Sequence, residues 1–313
     1  MGGGCMKISI VVSTYNGMEF IEEQMDSLRN QTRNADEVLF FDDCSTDDTA
    51  FIIREYILRH KIPNWHMVIN KVNKGWKRNF MEGLWQATGD LIFPCDQDDI
   101  WMQDKLKVME CLMASHPEIN VLTTNCQAFY DTGKIIIRPE PENKQLIKQP
   151  LVQNIFNTKY PGCTYCIRKS FVELSRKYWE DDFPHDALFW RMGVFSETLY
   201  SYNESLIQWR RHNDSTYTLE SAKSKTASNK RQWIDYAIRV VQSLKKFIAA
   251  EGSSNIENGN CILNTTLKWL NSRALFYDKK SLYQGIYLLK YLKCYDRVRQ
   301  YVGDWYLIYF KRN

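Results

Sequence analysis

The tetrapeptide Asp96-Gln97-Asp98-Asp99 closes a short apolar run, Leu91-Ile92-Phe93-Pro94-Cys95. Alternate residues of an extended segment point the same way, so Asp96 and Asp98 can converge on one cation. Oxygen ligands of this kind suit Mg²⁺ or Mn²⁺, which in turn grip phosphate oxygens. Standing alone, such a tetrapeptide is as readily a solvated turn or a helix cap. Two further polar clusters, Ser13-Thr14-Tyr15-Asn16 and Asp42-Asp43, also follow apolar runs. A carboxylate in that position can accept hydrogen bonds from a nucleobase N–H or a ribose hydroxyl. Residues 42–47 superficially resemble a Ca²⁺ loop, but Asp48 and Arg54 stand where an EF-hand needs Gly and Glu.

The elements that would position these clusters follow from periodicity. Lys7 to Ser13 is a β-branched, almost uninterrupted apolar run, as expected of a strand buried on both faces. A helix is predicted over about 18–30, with Phe20, Ile21, Met25 and Leu28 on one stripe. Val38 to Phe41 reads as the next strand. Ser45-Thr46-Asp47-Asp48-Thr49 then caps a helix whose apolar stripe includes Phe51, Ile52, Tyr56 and Ile57. Trp65 to Ile69 is a third strand, about 75–88 a third helix, and Leu91 to Cys95 a fourth strand. The alternation predicts an α/β fold, a Rossmann-like, mostly parallel sheet flanked by helices. Ligands of such sheets bind at the carboxyl ends of the strands, where all three polar clusters fall. Pro94 is a departure, because a central strand residue normally needs its N–H.

Beyond residue 100 the pattern becomes mixed, with strands predicted at Val121–Thr124, Lys134–Ile137 and Ser205–Trp209 and a helix over about 183–195. From about 228 the signal is helical, with Trp233, Ala237, Val240, Val241, Leu244, Phe247 and Ile248 in phase. The stretch from Tyr283 to Phe310 mixes Tyr, Trp and Leu with Lys290, Lys293, Arg297, Arg299, Lys311 and Arg312. Such a cationic amphipathic tail can lie on an anionic membrane surface or pack against the rest of the chain with a solvated basic face.

A net charge of +4 over 313 residues argues against a nucleic-acid partner, which calls for a concentrated basic surface. Nine cysteines form no repeated framework, and Cys163-Thr164-Tyr165-Cys166 lacks the second pair of a zinc site. Reduced thiols in a cytoplasmic protein are expected. No stretch approaches the ~18 apolar residues of a membrane span, and no secretory signal pattern is seen. Met1-Gly-Gly-Gly-Cys5 is read as lying outside the fold. Neither GxGxxG nor GxxxxGK[ST] occurs, which weighs against dinucleotide-dependent dehydrogenases and P-loop enzymes. A nucleotide bound without such a loop needs a metal and basic side chains for its phosphates.

Taken in order, Ile10-Val11-Val12-Ser13-Thr14-Tyr15-Asn16, Asp42 to Asp47, Asn73-Lys74-Gly75 with Arg78-Asn79, Ala87-Thr88-Gly89-Asp90 and Asp96 to Trp101 resemble family 2 glycosyltransferases of the GT-A fold. Pro161-Gly162-Cys163-Thr164, His185-Asp186 and Arg210-Arg211-His212-Asn213 continue the match, in a form similar to the bacterial rhamnosyltransferase-like branch. The resemblance spans roughly residues 6–215. It implies a catalytic domain over 6–215, with a nucleotide-sugar half about 6–100 and an acceptor half about 101–215. A helical region, 216–313, follows.

The resemblance also implies roles. Thr14, Tyr15, Asp42 and Asp43 would hold base and ribose, and Arg78 would face the diphosphate. Asp96 would contact ribose or metal, and Asp98 would be the principal ligand of Mn²⁺ or Mg²⁺, with His212 a further one. Asn16, Gln97 and Asp99 are grouped with the donor, although Asp99 can instead cap the following helix. Asp186 matches the catalytic base, with Glu180, Asp181 and Asp182 as rivals. Trp101, Gly162, Cys163 and His185 are placed on the acceptor side, His185 as structural or acceptor-binding. The implied activity is inverting transfer from a nucleotide-diphosphate sugar (dTDP-rhamnose first, a UDP-hexose second) to a glycan or lipid-linked saccharide in surface polysaccharide synthesis. Expected localisation is cytoplasmic, with the basic tail offering contact at the inner face of the membrane. A nucleotidyltransferase or a non-catalytic scaffold on the same fold are the rival readings.

Overall fold

The computed structural model describes residues 5–130, 135–138, 141–211, 226–252 and 255–311. The chain forms two compact units: one of residues 1–149, 158–194 and 198–211, the other of 150–157, 195–197 and 212–313. Pro150–Asn157 goes with the second unit. There Phe156 packs its ring against Trp233 and Trp269.

In the first unit, β1 (Ile8–Thr14), β2 (Glu37–Asp42), β3 (Trp65–Ile69) and β4 (Leu91–Asp96) are parallel neighbours in the order β3-β2-β1-β4. Both faces are covered, which is why β1 carries no polar alternation. Ile8, Ile10 and Val12 join the core beneath α1 (Ile21–Arg29), α2 (Thr49–His60) and α4 (Lys105–Ser115). Val11 points the other way, where Gly83 of α3 (Trp76–Gln86) lies against it and Phe41. Along α2 the buried stripe is Thr49, Ile53 and Tyr56, so the expected stripe is rotated and Phe51 is exposed. The N-cap is Asp48, which makes no side-chain cap bond; Asp47 instead accepts from Thr49 N–H at 3.0 Å. The face is decided by Tyr56, whose ring stacks on Trp65 and whose hydroxyl donates to Asp26 at 2.6 Å.

The sheet continues through β9 (Cys166–Arg168), β6 (Val121–Tyr130), β10 (Leu199–Arg211) and β5 (Ile100–Trp101), with β7 (Ile135–Arg138) and β8 (Leu146–Lys148) pairing off it. β6 and β10 are parallel, whereas β9 is antiparallel to both β4 and β6. β9 and β5 are too short to leave a periodic signature. β9 pairs only Leu91 and Ile92 of β4, so past Ile92 that edge has no ladder partner and Pro94 is tolerated. The 3₁₀ turn Gly162–Thr164 packs there instead.

The second unit is helical as expected. Its long helices α7 (Ala227–Glu251) and α8 (Ile256–Lys279) pack on each other, and the Thr226 hydroxyl caps α7 by accepting from Asn229 N–H at 3.1 Å. The buried guanidinium of Arg273 meets Asp304 in two bonds of 2.6 and 2.7 Å. Tyr277 and Tyr295 donate to the same carboxylate at 2.6 and 3.0 Å. All nine cysteines are free thiols.

Candidate active site

The carboxyl ends of β1, β2 and β4 are tied together by side chains that the sequence singles out. Asp42, fully buried, accepts from the Thr14 hydroxyl at 3.0 Å, from Ser45 N–H at 2.9 Å and from the Ser45 hydroxyl at 2.5 Å. Asn16, at positive φ, accepts from Thr46 N–H at 2.8 Å. Asp43 accepts three bonds: from Asn70 Nδ2 at 3.0 Å, from Lys74 N–H at 2.8 Å and from Gly75 N–H at 2.8 Å. Both aspartates thus shape the loops at the carboxyl ends of β1 and β2, and Tyr15 is left well exposed. Gln97 closes the set, its amide bonded to the Tyr15 backbone.

Buried Asn79 extends this scaffold. It donates to the Ser13 hydroxyl at 2.8 Å and the Phe41 carbonyl at 2.7 Å, and accepts from Asn70 at 2.8 Å. Its neighbour Arg78 pairs with Asp181, so that rival carboxylate is engaged at the surface.

At the end of β4 the ligand atoms of Asp96, Asp99 and Cys163 lie within 4.8 Å of one another. Burial, reinforced by the charges of Asp98 and Asp186, pushes the Asp96 carboxyl up to about 7. Burial and the charges of Asp98 and Asp96 push Asp99 well above the carboxylate range. Asp186 therefore sits in the electrostatic field of the β4 carboxylates. Asp98 is half-buried, and its carbonyl accepts from Arg210 Nε at 2.9 Å while Arg210 N–H donates to Asp99 Oδ1 at 3.1 Å. Beneath the cluster lies Lys105, wholly buried, with Nζ donating to the Cys163 carbonyl at 2.6 Å and standing 4.0 Å above the Trp101 ring. Trp101 is 2 % exposed and joins the core, which removes it from any surface that an acceptor could touch. Lys105, Asn79 and Arg210 carry no role in the sequence reading; a polar residue amid an apolar stripe, as Lys105 is beside Leu106 and Met109, is the signal that could have found the first.

Asp186 opens α6 (His185–Phe195), its Oδ1 accepting Ala187 N–H at 2.6 Å. Gly162 is wedged against this turn: a Cβ there would meet His185 Nε2 at 2.4 Å and Asp186 Cβ at 3.0 Å. His185 is buried with its ring 4.2 Å from that of Phe80, neither ring nitrogen has a hydrogen-bond partner, and burial lowers its pKa. The imidazole lies against the rings of Phe80 and Trp76. Cys163 is buried, and burial raises its thiol well above the ordinary value. His212 lies outside the described residues.

The donor set fits a hard divalent cation. Asp99 Oδ2 is buried without a hydrogen-bond partner, and like charge has driven Asp96 upward. A cation would relieve both, through the carboxylates of Asp96 and Asp99; Asp98, the expected principal ligand, is not among the ligand atoms that converge there. The protonated Cys163 thiol is a poor ligand for such an ion.

Comparison with known proteins agrees with this geometry. The chain is 31% identical over 173 residues to a dTDP-rhamnosyl transferase, RfbG, of Shigella flexneri, a match covering 53% of this chain and 57% of that one. It is 23% identical to an uncharacterized glycosyltransferase of Haemophilus influenzae over 93% of both chains. Among solved structures, residues 1–349 of S. aureus TarS in complex with UDP-GlcNAc superpose with a TM-score of 0.56 at 17% identity, covering 93% of both chains. A Pyrobaculum calidifontis mannosyltransferase in complex with GDP-Man and Mn²⁺ gives 0.53 at 17% identity, covering 98% of this chain and 88% of that one. These likenesses concern the fold, which is the GT-A fold. The family model described as "Glycosyl transferase family 2" matches residues 9–179; more than half of its length carries that match, and the chain belongs to glycosyl transferase family 2.

Proposed function

We propose that this protein transfers a sugar, with inversion, from a nucleotide-diphosphate donor to a hydroxyl of a glycan or lipid-linked saccharide acceptor, in the synthesis of surface polysaccharide. The observation that carries the reading is the placement of Asp186 within electrostatic reach of the β4 carboxylates. An attacking group and a leaving group must be served by different residues of one site, and this pairing supplies both.

Asp186 is assigned as general base, removing the acceptor hydroxyl proton as that oxygen attacks the anomeric carbon, a role worth about 10²- to 10⁴-fold in rate. Asp98 is assigned as first metal ligand, with Asp96 and Asp99 beside it. A bound Mn²⁺ or Mg²⁺ supplies positive charge against the leaving diphosphate. Tyr15 and the loops held by Asp42 and Asp43 receive the base and ribose, and Arg78, on release from Asp181, offers its guanidinium to phosphate oxygens. The Shigella relative favours dTDP-rhamnose as donor, and the UDP-GlcNAc complex of the TarS neighbour keeps a UDP-hexose as second.

Asp186→Asn is the test. Donor binding by calorimetry should persist while transfer to acceptor falls by about 10²-fold or more. Near-normal transfer by this variant would remove Asp186 from the base role.

A further inference from the structure

No helix among the described residues is long and apolar enough to cross a membrane. The second unit nevertheless leaves apolar side chains open. α9 (Leu282–Tyr287) and α10 (Val298–Trp305), the latter continued by the wider turn Tyr306–Phe310, are separated in sequence by the 3₁₀ segment Leu288–Cys294. The Tyr301 hydroxyl of α10 donates to the Gly285 carbonyl at 3.0 Å, and the Trp305 ring lies against Gly285. The inward side of α10 is fixed by Asp304, held by Arg273. On its other side Val298, Val302, Tyr306 and Phe310 recur every fourth residue, and each has more than half its surface exposed. Leu282 and Ile286 of α9 repeat the pattern, both more than half exposed.

Charge accompanies these stripes in one sign. From Lys279 to Lys311 the described basic residues are Lys279, Lys280, Lys290, Lys293, Arg297, Arg299 and Lys311. The acidic ones are Asp296, which pairs with Arg297, and the buried Asp304. Arg299 follows Val298 on the open side of α10 and is itself exposed. Apolar and aromatic groups edged by long cationic side chains match the boundary of an anionic bilayer, where acyl chains receive the first and headgroup phosphates the second.

We propose that α9, α10 and the turn after it form a peripheral docking surface for an anionic lipid bilayer. Val302, Tyr306, Phe310, Leu282 and Ile286 enter the headgroup–acyl boundary, and Lys290, Lys293, Arg297 and Arg299 meet the lipid charge. The interaction is independent of sugar transfer and needs no donor or acceptor, so it can fail or succeed apart from the catalytic assignment.

Flotation of the full chain with vesicles tests it. Vesicles of phosphatidylcholine with about three parts in ten of phosphatidylglycerol should carry the protein, and pure phosphatidylcholine vesicles should not. Binding should weaken at least about tenfold at ~0.5 M NaCl, where screening is short. Val302→Ser combined with Ile286→Ser should weaken it by about tenfold or more, with the far-ultraviolet circular dichroism unchanged. Tyr306→Trp supplies an independent readout: against the ten native tryptophans, the difference emission between this variant and the wild type should shift to the blue with vesicles and be quenched by brominated acyl chains. Equal recovery with both vesicle types, no recovery of folded protein with either, or an unquenched Trp at position 306 would overturn the proposal. A lipid-free dimer dissolved by Val302→Ser would also overturn it, assigning the stripes to a second copy.

Discussion

Gln97 and the Tyr15 backbone exchange two hydrogen bonds: Tyr15 N–H donates to Gln97 Oε1 at 2.8 Å, and Gln97 Nε2 donates to the Tyr15 carbonyl at 3.1 Å. One side chain thereby locks the end of β1 to the acidic end of β4. Gly17 is part of the same lock, since a Cβ there would stand 2.3 Å from Gln97 Oε1. Gly17→Ala must displace Gln97 and free the Tyr15 segment. We expect nucleoside diphosphate binding, measured by calorimetry, to weaken by about tenfold in this variant and in Gln97→Ala, ~1.4 kcal/mol, with urea midpoints little changed.

Asp43 is predicted to matter for stability as well as for ligand. Asp43→Ala leaves the Lys74 N–H without its acceptor, while Asn70 Nδ2 keeps Asn79 and Gly75 N–H keeps Asn73. A loss of about 1–3 kcal/mol in urea unfolding is expected, because an orphaned donor costs more than the bond it made.

The raised carboxyl of Asp96 sets a pH dependence. Its folded pKa of about 7 lies above the ordinary value of 3.8, so between those values the folded state binds more protons than the unfolded one. Stability from this group is complete below about pH 4 and is lost as pH rises towards about 7, by on the order of 4 kcal/mol. Melting temperatures of metal-free protein across that window should show the decline. Asp96→Asn should flatten it and raise the melting temperature at pH 8. A Mn²⁺-loaded sample should lose the decline as well, because the cation stabilises the ionised form.

In the second unit the Arg273–Asp304 pair is buried on both sides. Asp304→Ala leaves the guanidinium uncompensated, and a destabilisation of about 3–5 kcal/mol is expected from chemical denaturation. Replacing both by apolar residues of similar size should cost much less.

Much of the first unit was legible because a parallel sheet covered on both faces must write its strands as apolar runs, as Lys7 to Ser13 and Leu91 to Cys95 do. The polar residues at the ends of those runs then mark the site. Less legible was anything decided by tertiary contact. Phe51 fits a helical stripe as well as Ile53 does, and only the Tyr56–Trp65 stack selects the face. Trp101 follows the acidic motif directly, yet β5 turns it into the core under Lys105. The antiparallel β9 is three residues long, so no periodicity could announce it. At the site itself, sequence names the carboxylates but not their division of labour: Asp42 and Asp43 accept bonds from their own loops, while Asp96, Asp98 and Asp186 share a field.

The central claim, that these carboxylates hold a metal-dependent nucleotide-sugar site, meets its most direct test in thermal stabilisation. Purified protein would be melted with dTDP, UDP and GDP, each with and without Mn²⁺, alongside Asp98→Ala. The account predicts a rise in melting temperature with one nucleotide only when Mn²⁺ is present, corresponding to about 2.7 kcal/mol at a hundredfold excess over Kd, and no rise in Asp98→Ala. A folded wild-type protein that no nucleotide stabilises in either condition, or that is stabilised equally without metal and in Asp98→Ala, would contradict it.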